Sequence, residues 1–149
     1  MTRILLIVVV FVFTIVACTS STSKNDEKLS HGEKVKIEQY LVEGQQLYTI
    51  HCANCHQPDG AGLAQLFPPL KNSDYLKENF ETAICSMRYG LEGEIVVNGV
   101  TYNQKMPGIS TLTDLEIAEI ATYIYNSWGN ERGLVAVNDV KEVLKNCKK

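Results

Sequence analysis

Cys52-Ala53-Asn54-Cys55-His56 places two thiols three positions apart and an imidazole directly after the second. Along one turn of chain that spacing puts both sulfurs on the same side and carries the histidine just past them. Three chemistries use cysteines so spaced. A dithiol can cycle with its disulfide, usually where a strand turns into a helix. Two cysteines can supply half of a zinc site, which a second Cys/His pair must complete. Two thiols can also add across the two vinyl groups of a haem, leaving the adjacent imidazole to reach the iron beneath the ring. The rest of the chain favours the last. No strand–turn–helix pattern surrounds the motif, and no second Cys/His pair stands at ligand spacing, Cys85 and Cys147 being too scattered to make one. With five cysteines and three histidines in 149 residues, roughly 0.003 such motifs arise by chance.

The elements that must position this motif follow from periodicity and punctuation. Val35, Ile37, Leu41, Leu47, Tyr48 and Ile50 recur at mixed three- and four-residue spacings, which predicts a helix over about 33–51, irregular near Gly44. Two glycines and three prolines make 57–72 a loop. Residues 74–89 read as a second helix, with Leu76, Phe80, Ile84 and Met87 on one face, Asp74 near its start, and Gly90 and Gly93 breaking it. Glu94-Ile95-Val96-Val97 and Val100-Thr101-Tyr102 flank Asn98-Gly99, a pair that accepts the positive φ angles of a type I′ turn, so this stretch is a short β-hairpin. Residues 104–111 form a second loop. Thr113 or Asp114 caps a strong helix running to about Trp128, where Gly129 stops it, and 137–146 is a last, weakly amphipathic helix. The chain is mainly helical, shows no internal repeat, and at 149 residues holds one domain.

Composition narrows the function classes. The chain is 45% hydrophobic and 21% charged, unlike a disordered tail, and its net charge of −3 lacks the basic footprint of a nucleic-acid binder. At the N-terminus a single Arg3 precedes an apolar run, Ile4 to Ala17, interrupted only by Thr14. This matches a secretory signal and is short of the roughly 20 residues of a membrane span. Ile15-Val16-Ala17-Cys18 resembles the bacterial lipoprotein signal, which implies cleavage before Cys18 and a lipid on its sulfur; a plain signal peptide or an uncleaved anchor is the alternative. The Ser/Thr-rich stretch 19–28 has the composition of a tether. Without residues 1–17 there are 13 basic against 17 acidic side chains, a net charge of −4.

With these residues in view, the stretch 40–128 resembles a class I c-type cytochrome with a single haem. The resemblance implies an all-α fold, four or five helices around one haem c, with a short hairpin before an axial-methionine loop. Gly44 and Tyr48 resemble the family's small and aromatic pair where the first helix crosses the last, with Ile120 and Tyr123 as the partners. Cys52 and Cys55 would carry the thioethers and His56 one axial bond. Tyr102 to Gly108 looks like the loop of the other axial ligand, which selects Met106. Met87, on a helix face, reads as core packing or at most a wall of the haem site. His31 and His51 read as surface residues. In the family a proline carbonyl orients the axial histidine, and Pro68-Pro69-Leu70 stands at that place. Gly60 and Gly62 are expected to let the backbone pass close to the ring. Tyr75, Tyr102 and Trp128 are candidates for a propionate contact, each also explicable as packing. The two propionates would bring the net charge to about −6. A thioether ligand favours ferrous iron and raises the potential, and filling both axial positions argues for electron transfer over catalysis.

Cys85 and Cys147 remain. Outside the cytoplasm they can form a disulfide that pins the C-terminal extension to the 74–89 helix; the alternative is a buried Cys85 and a free Cys147. The expected organisation is a signal peptide (1–17), a tether (18–32), a cytochrome domain (33–130) and a C-terminal extension (131–149) packed on it or trailing from it. The expected role is an electron carrier lipid-anchored in the bacterial cell envelope and facing the extracytoplasmic side, either between respiratory complexes or as the cytochrome subunit of a terminal oxidase, periplasmic reductase or dehydrogenase. Its partners would be redox proteins, met through an apolar edge (Ala61, Leu63, Ala64), with no nucleic acid and no small-molecule substrate.

Overall fold

Ser30 opens the first helix with a reciprocal cap. Its hydroxyl accepts from the Glu33 N–H, and the Glu33 carboxylate accepts from the Ser30 N–H. In the computed structural model, which describes residues 30–147, helix α1 (His31–His51) therefore starts two residues before the expected 33 and takes His31 and Gly32 from the expected tether. Gly44 leaves α1 unbroken, against expectation, because it serves packing and not bending. A β-carbon there would lie 2.6 Å from the Glu119 carbonyl carbon and 2.8 Å from Tyr123 Cβ, so only glycine lets the two helices approach this closely.

One turn, α2 (Ala53–His56), follows α1, and a loop leads to α3 (Asp74–Glu78) and α4 (Phe80–Tyr89). The predicted continuous helix 74–89 is thus two. Asn79 departs from helical geometry (φ −122°, ψ 46°), and both its backbone N–H and its side-chain amide donate to the Tyr75 carbonyl, at 2.9 and 3.1 Å. The asparagine side chain offers the backbone a local alternative to the next helical turn. Strand β1 (Gly90–Leu91) comes next, then the hairpin of β2 (Ile95–Val97) and β3 (Val100–Tyr102), then β4 (Met106–Pro107). The pairing of β4 with β1 corrects the reading of 104–111 as loop alone: Leu91 stands opposite Met106 and Gly90 opposite Pro107. Gly90 (φ +83°) permits it, since a β-carbon there would meet the Met106 carbonyl oxygen at 2.6 Å.

The next helix, α5 (Asp114–Ile124), has a capping box from Thr113 and Glu116. It ends four residues short of the predicted Trp128. The Asn126 amide takes up the Thr122 carbonyl at 2.6 Å and the Gly133 carbonyl at 2.8 Å, which turns the chain back. Helix α6 (Val137–Asn146) then packs on α4 and α5. The extension is part of the folded unit: Val135 and Val140 are fully buried, the Arg132 guanidinium lies 3.8 Å from the Phe80 ring centre, and a disulfide joins Cys85 to Cys147. No helix among the described residues is long and apolar enough to cross a membrane. Cys18 and the 1–17 segment lie outside the described residues.

Two stability predictions arise here. Gly44→Val should lower the unfolding free energy by about 3 kcal/mol through overpacking. Gly32→Ala, in open space on the same helix, should leave it unchanged or slightly raised. The Cys85–Cys147 bond spans 62 residues, so Cys147→Ser should cost about 4 kcal/mol on the chain-entropy account. Denaturant titration of each holoprotein beside the wild type checks both.

Candidate functional site

Cys52 closes α1 and opens α2. Its N–H donates to the Tyr48 carbonyl at 2.8 Å, and its own carbonyl accepts from the Cys55 N–H at 3.1 Å and the His56 N–H at 2.9 Å. The motif is therefore one tight turn set on the end of a long helix. Tyr48 locks it from behind by donating its hydroxyl to the Gln57 carbonyl at 2.6 Å. Cys52 and Cys55 are both half-buried free thiols. Burial, with a smaller contribution from Cys55, pushes the Cys52 thiol up to about 12. A dithiol that works through a thiolate needs the opposite shift. Among the described residues no three His, Cys, Asp or Glu side chains come together to hold a metal, so the zinc reading has no second half.

His56 is nearly enclosed, and its Nδ1 lies 3.0 Å from the Pro68 carbonyl oxygen. A carbonyl only accepts, so this contact requires the proton on Nδ1 and leaves the Nε2 lone pair for a metal. Of the three carbonyls in Pro68-Pro69-Leu70, that of Pro68 orients the ring. Burial lowers the His56 pKa, partly offset by the Pro68 hydrogen bond. The neutral ring is the form that can ligate.

His56 faces a slot made of two adjoining cavities. The larger, of about 610 Å³, is walled by Cys52, Leu76, Met87, Val97 and Ile120 among others. The smaller, of about 490 Å³, is walled by Cys55, Phe67, Tyr102 and Lys105 among others. His56, Pro68, Leu91, Ile95 and Met106 line both. The histidine and Met106 thus stand at the junction, with one thiol on each side. Free thiols, an oriented neutral imidazole and a thioether among apolar walls suit a haem attached by thioethers.

The other candidates are placed as follows. Met87 lines only the larger cavity, as a wall. His31 and His51 are exposed at the two ends of α1. Tyr75 lines the larger cavity and Tyr102 the smaller. Trp128 lines neither, because its ring packs on Tyr48 and Tyr123, with centroids 5.2 and 5.3 Å away. Gly60 and Gly62 also line neither. A β-carbon on Gly60 would strike the Trp128 ring, and one on Gly62 would lie 2.7 Å from the Pro68 carbonyl carbon. Their role is to let the loop pass close to protein. Leu91 and Ile95 were missed as wall residues. For Ile95 a signal existed: along Ile95-Val96-Val97 the outer residues face in and Val96 faces out, the period of a half-buried strand.

Residues 41–128 match the cytochrome c family. Cytochrome c-552 of Thermus thermophilus is 36% identical over 95 residues, which cover 61% of this chain and 72% of that protein. The cytochrome c subunit of the quinone-type alcohol dehydrogenase of Gluconacetobacter polyoxogenes is 35% identical over 106 residues, covering 68% of this chain and 22% of the relative. The fructose dehydrogenase cytochrome subunit of Gluconobacter japonicus is 31% identical over 106 residues, with the same two coverages. The chain therefore spans about a fifth of the length of these dehydrogenase subunits. A family match across more than half of the chain, centred on the slot just described, gives its lineage: the chain belongs to the cytochrome c family and is an electron carrier with one covalently attached haem c.

Proposed function

We propose that this chain is a single-electron carrier in which Cys52 and Cys55 hold the haem, His56 and Met106 are the axial ligands, and a lipid on Cys18 tethers the domain outside the cytoplasmic membrane. The observation that carries the ligand assignment is the position of His56 and Met106, on different segments and both at the junction of the two cavities. Haem supplies one-electron exchange at its iron. The chain's own residues set the terms of that exchange. Pro68 fixes the His56 ring through Nδ1. The pairing of Leu91 with Met106 holds the thioether by its backbone. Leu76, Ile84, Val97 and Ile120, all nearly inaccessible, keep water from the interior. A methionine ligand and a dry pocket both favour the ferrous state. Two protein ligands leave no position for a substrate.

Redox proteins would supply and take the electron. Leu63 and Leu66, each nearly half exposed, extend an apolar patch with Ala61 and Ala64 beside Phe67, a wall residue of the smaller cavity. Contact there is weak and transient. A second reading makes the chain the cytochrome subunit of a larger oxidoreductase, favoured by the dehydrogenase cytochrome subunits among its relatives. Co-purification from membranes distinguishes a free carrier from a bound subunit.

Met106→Ala should abolish the methionine-to-iron charge-transfer band of the oxidised protein and lower its midpoint potential, whereas Met87→Leu should keep the band. A band that survives Met106→Ala would refute the ligand set. Cys18→Ala should move the protein from the membrane to the soluble fraction. Turnover with its partner should change little with salt, and a steep fall would contradict the apolar patch.

A further inference from the structure

Asp74 and Asn98 are 24 residues apart and joined by two hydrogen bonds running in opposite directions. The Asp74 N–H donates to Asn98 Oδ1 at 3.1 Å, and the Asn98 N–H donates to Asp74 Oδ1 at 2.7 Å. Local structure requires neither bond. Helix α3 already has its N-cap in Ser73, whose hydroxyl accepts from the Leu76 N–H at 3.2 Å. The turn is satisfied by the positive φ of Asn98 (+50°) and Gly99 (+76°). The pair is a long-range joint between the hairpin tip and the start of α3.

Its position gives it weight. Ile95, Val97 and Tyr102 of the hairpin line the slot. Among the described elements, α3 is the only one packed against the hairpin. One leg of the hairpin contains Gly93, at φ +99° with open space around it. The other leg, 103–105, leads straight into Met106. The remaining side-chain tie is the Glu92–Lys105 ion pair across the two legs, which is two-thirds exposed and therefore screened. Neither Asp74 nor Asn98 lines the slot.

We infer that Asp74 and Asn98 form a latch that holds the hairpin as a lid over the slot and, through the short leg, holds Met106 at the junction of the two cavities. They are positioning residues. The consequence for the iron rests on the proposed Met106 ligation; the lid itself does not. Opening the latch exposes the slot more often and lets a small external ligand displace the methionine.

Three variants of the holoprotein test this. Asn98→Gly keeps the left-handed turn backbone and removes one acceptor. Asp74→Ala removes the other. Asp74→Asn keeps an oxygen at the same place. Amide hydrogen exchange by NMR is read at Val97, Val100 and Tyr102 against the α5 core, and imidazole binding to the oxidised protein is timed. In Asn98→Gly and Asp74→Ala, hairpin exchange should quicken roughly tenfold, the weight of a lost hydrogen bond, with α5 unchanged. Imidazole entry should quicken by a similar factor, and Asp74→Asn should match the wild type. Unchanged hairpin exchange overturns the latch, as does equal loss of protection in α5 or an Asp74→Asn variant as open as Asp74→Ala. Faster exchange with unchanged imidazole entry overturns the control of access. The wild-type charge-transfer band reports separately on the ligation reading, so the two failures are distinguishable.

Discussion

The close crossing of α1 and α5 at Gly44 is the constraint on which the slot depends. A side chain at that position would collide with the backbone at Glu119 and with Tyr123, and would drive the helices apart. One turn further along α1, Tyr48 is fully buried against Tyr123 and Trp128, and its hydroxyl holds the Gln57 carbonyl. Helix α1 is thus fixed in position and rotation just before it ends. Cys52–His56 is the next turn of chain, so the direction of both thiols and of the imidazole is inherited from the crossing. The Pro68 carbonyl then removes the last freedom of the His56 ring.

The opposite wall is built with less redundancy. Met106 lies on a strap between α4 and α5 whose contents are two short strand pairs. The strap is closed at its base by backbone contacts, with the Ile109 N–H donating to the Met87 carbonyl at 2.9 Å and β1 pairing with β4. Arg88 and Asp114, at the two ends of the strap, form a partly buried ion pair at 2.7 Å. Behind α4 the C-terminal extension adds Val140, the stacked Arg132 and the Cys85–Cys147 bond. One side of the slot is therefore carried by a packed helix crossing, and the other by a strap braced at its base and latched at its tip. That asymmetry suits the proposed ligand pair, a histidine set by the helix and a softer methionine on the strap.

Much of this could be read in the residues. The Cys52–His56 spacing, the Thr113 cap of α5, the Asn98-Gly99 turn and the Gly44–Tyr48 pair are local signals, and each element they announce is present. What escaped was non-local except at Asn79. Asn79 looks like an ordinary surface position until its amide competes for the Tyr75 carbonyl. The two-residue strands at 90–91 and 106–107 are too short to carry a period and exist only because they meet each other. Gly60 and Trp128 each carry a plausible role toward a bound ring, yet they face one another. The Asp74–Asn98 joint lies between two residues already explained by helix-start and turn chemistry.

Electron transfer asks the protein to hold iron in one environment through both oxidation states, and the proposed Met106 ligand on the braced strap is where that environment would be most exposed to failure. The proton NMR spectrum of the reduced holoprotein tests this most directly. A methionine methyl held against the ring face is shifted far upfield by the ring current, and the resonance should be a single three-proton line assigned to Met106. A shifted methyl belonging to Met87, or no methionine methyl outside the ordinary range, would contradict it.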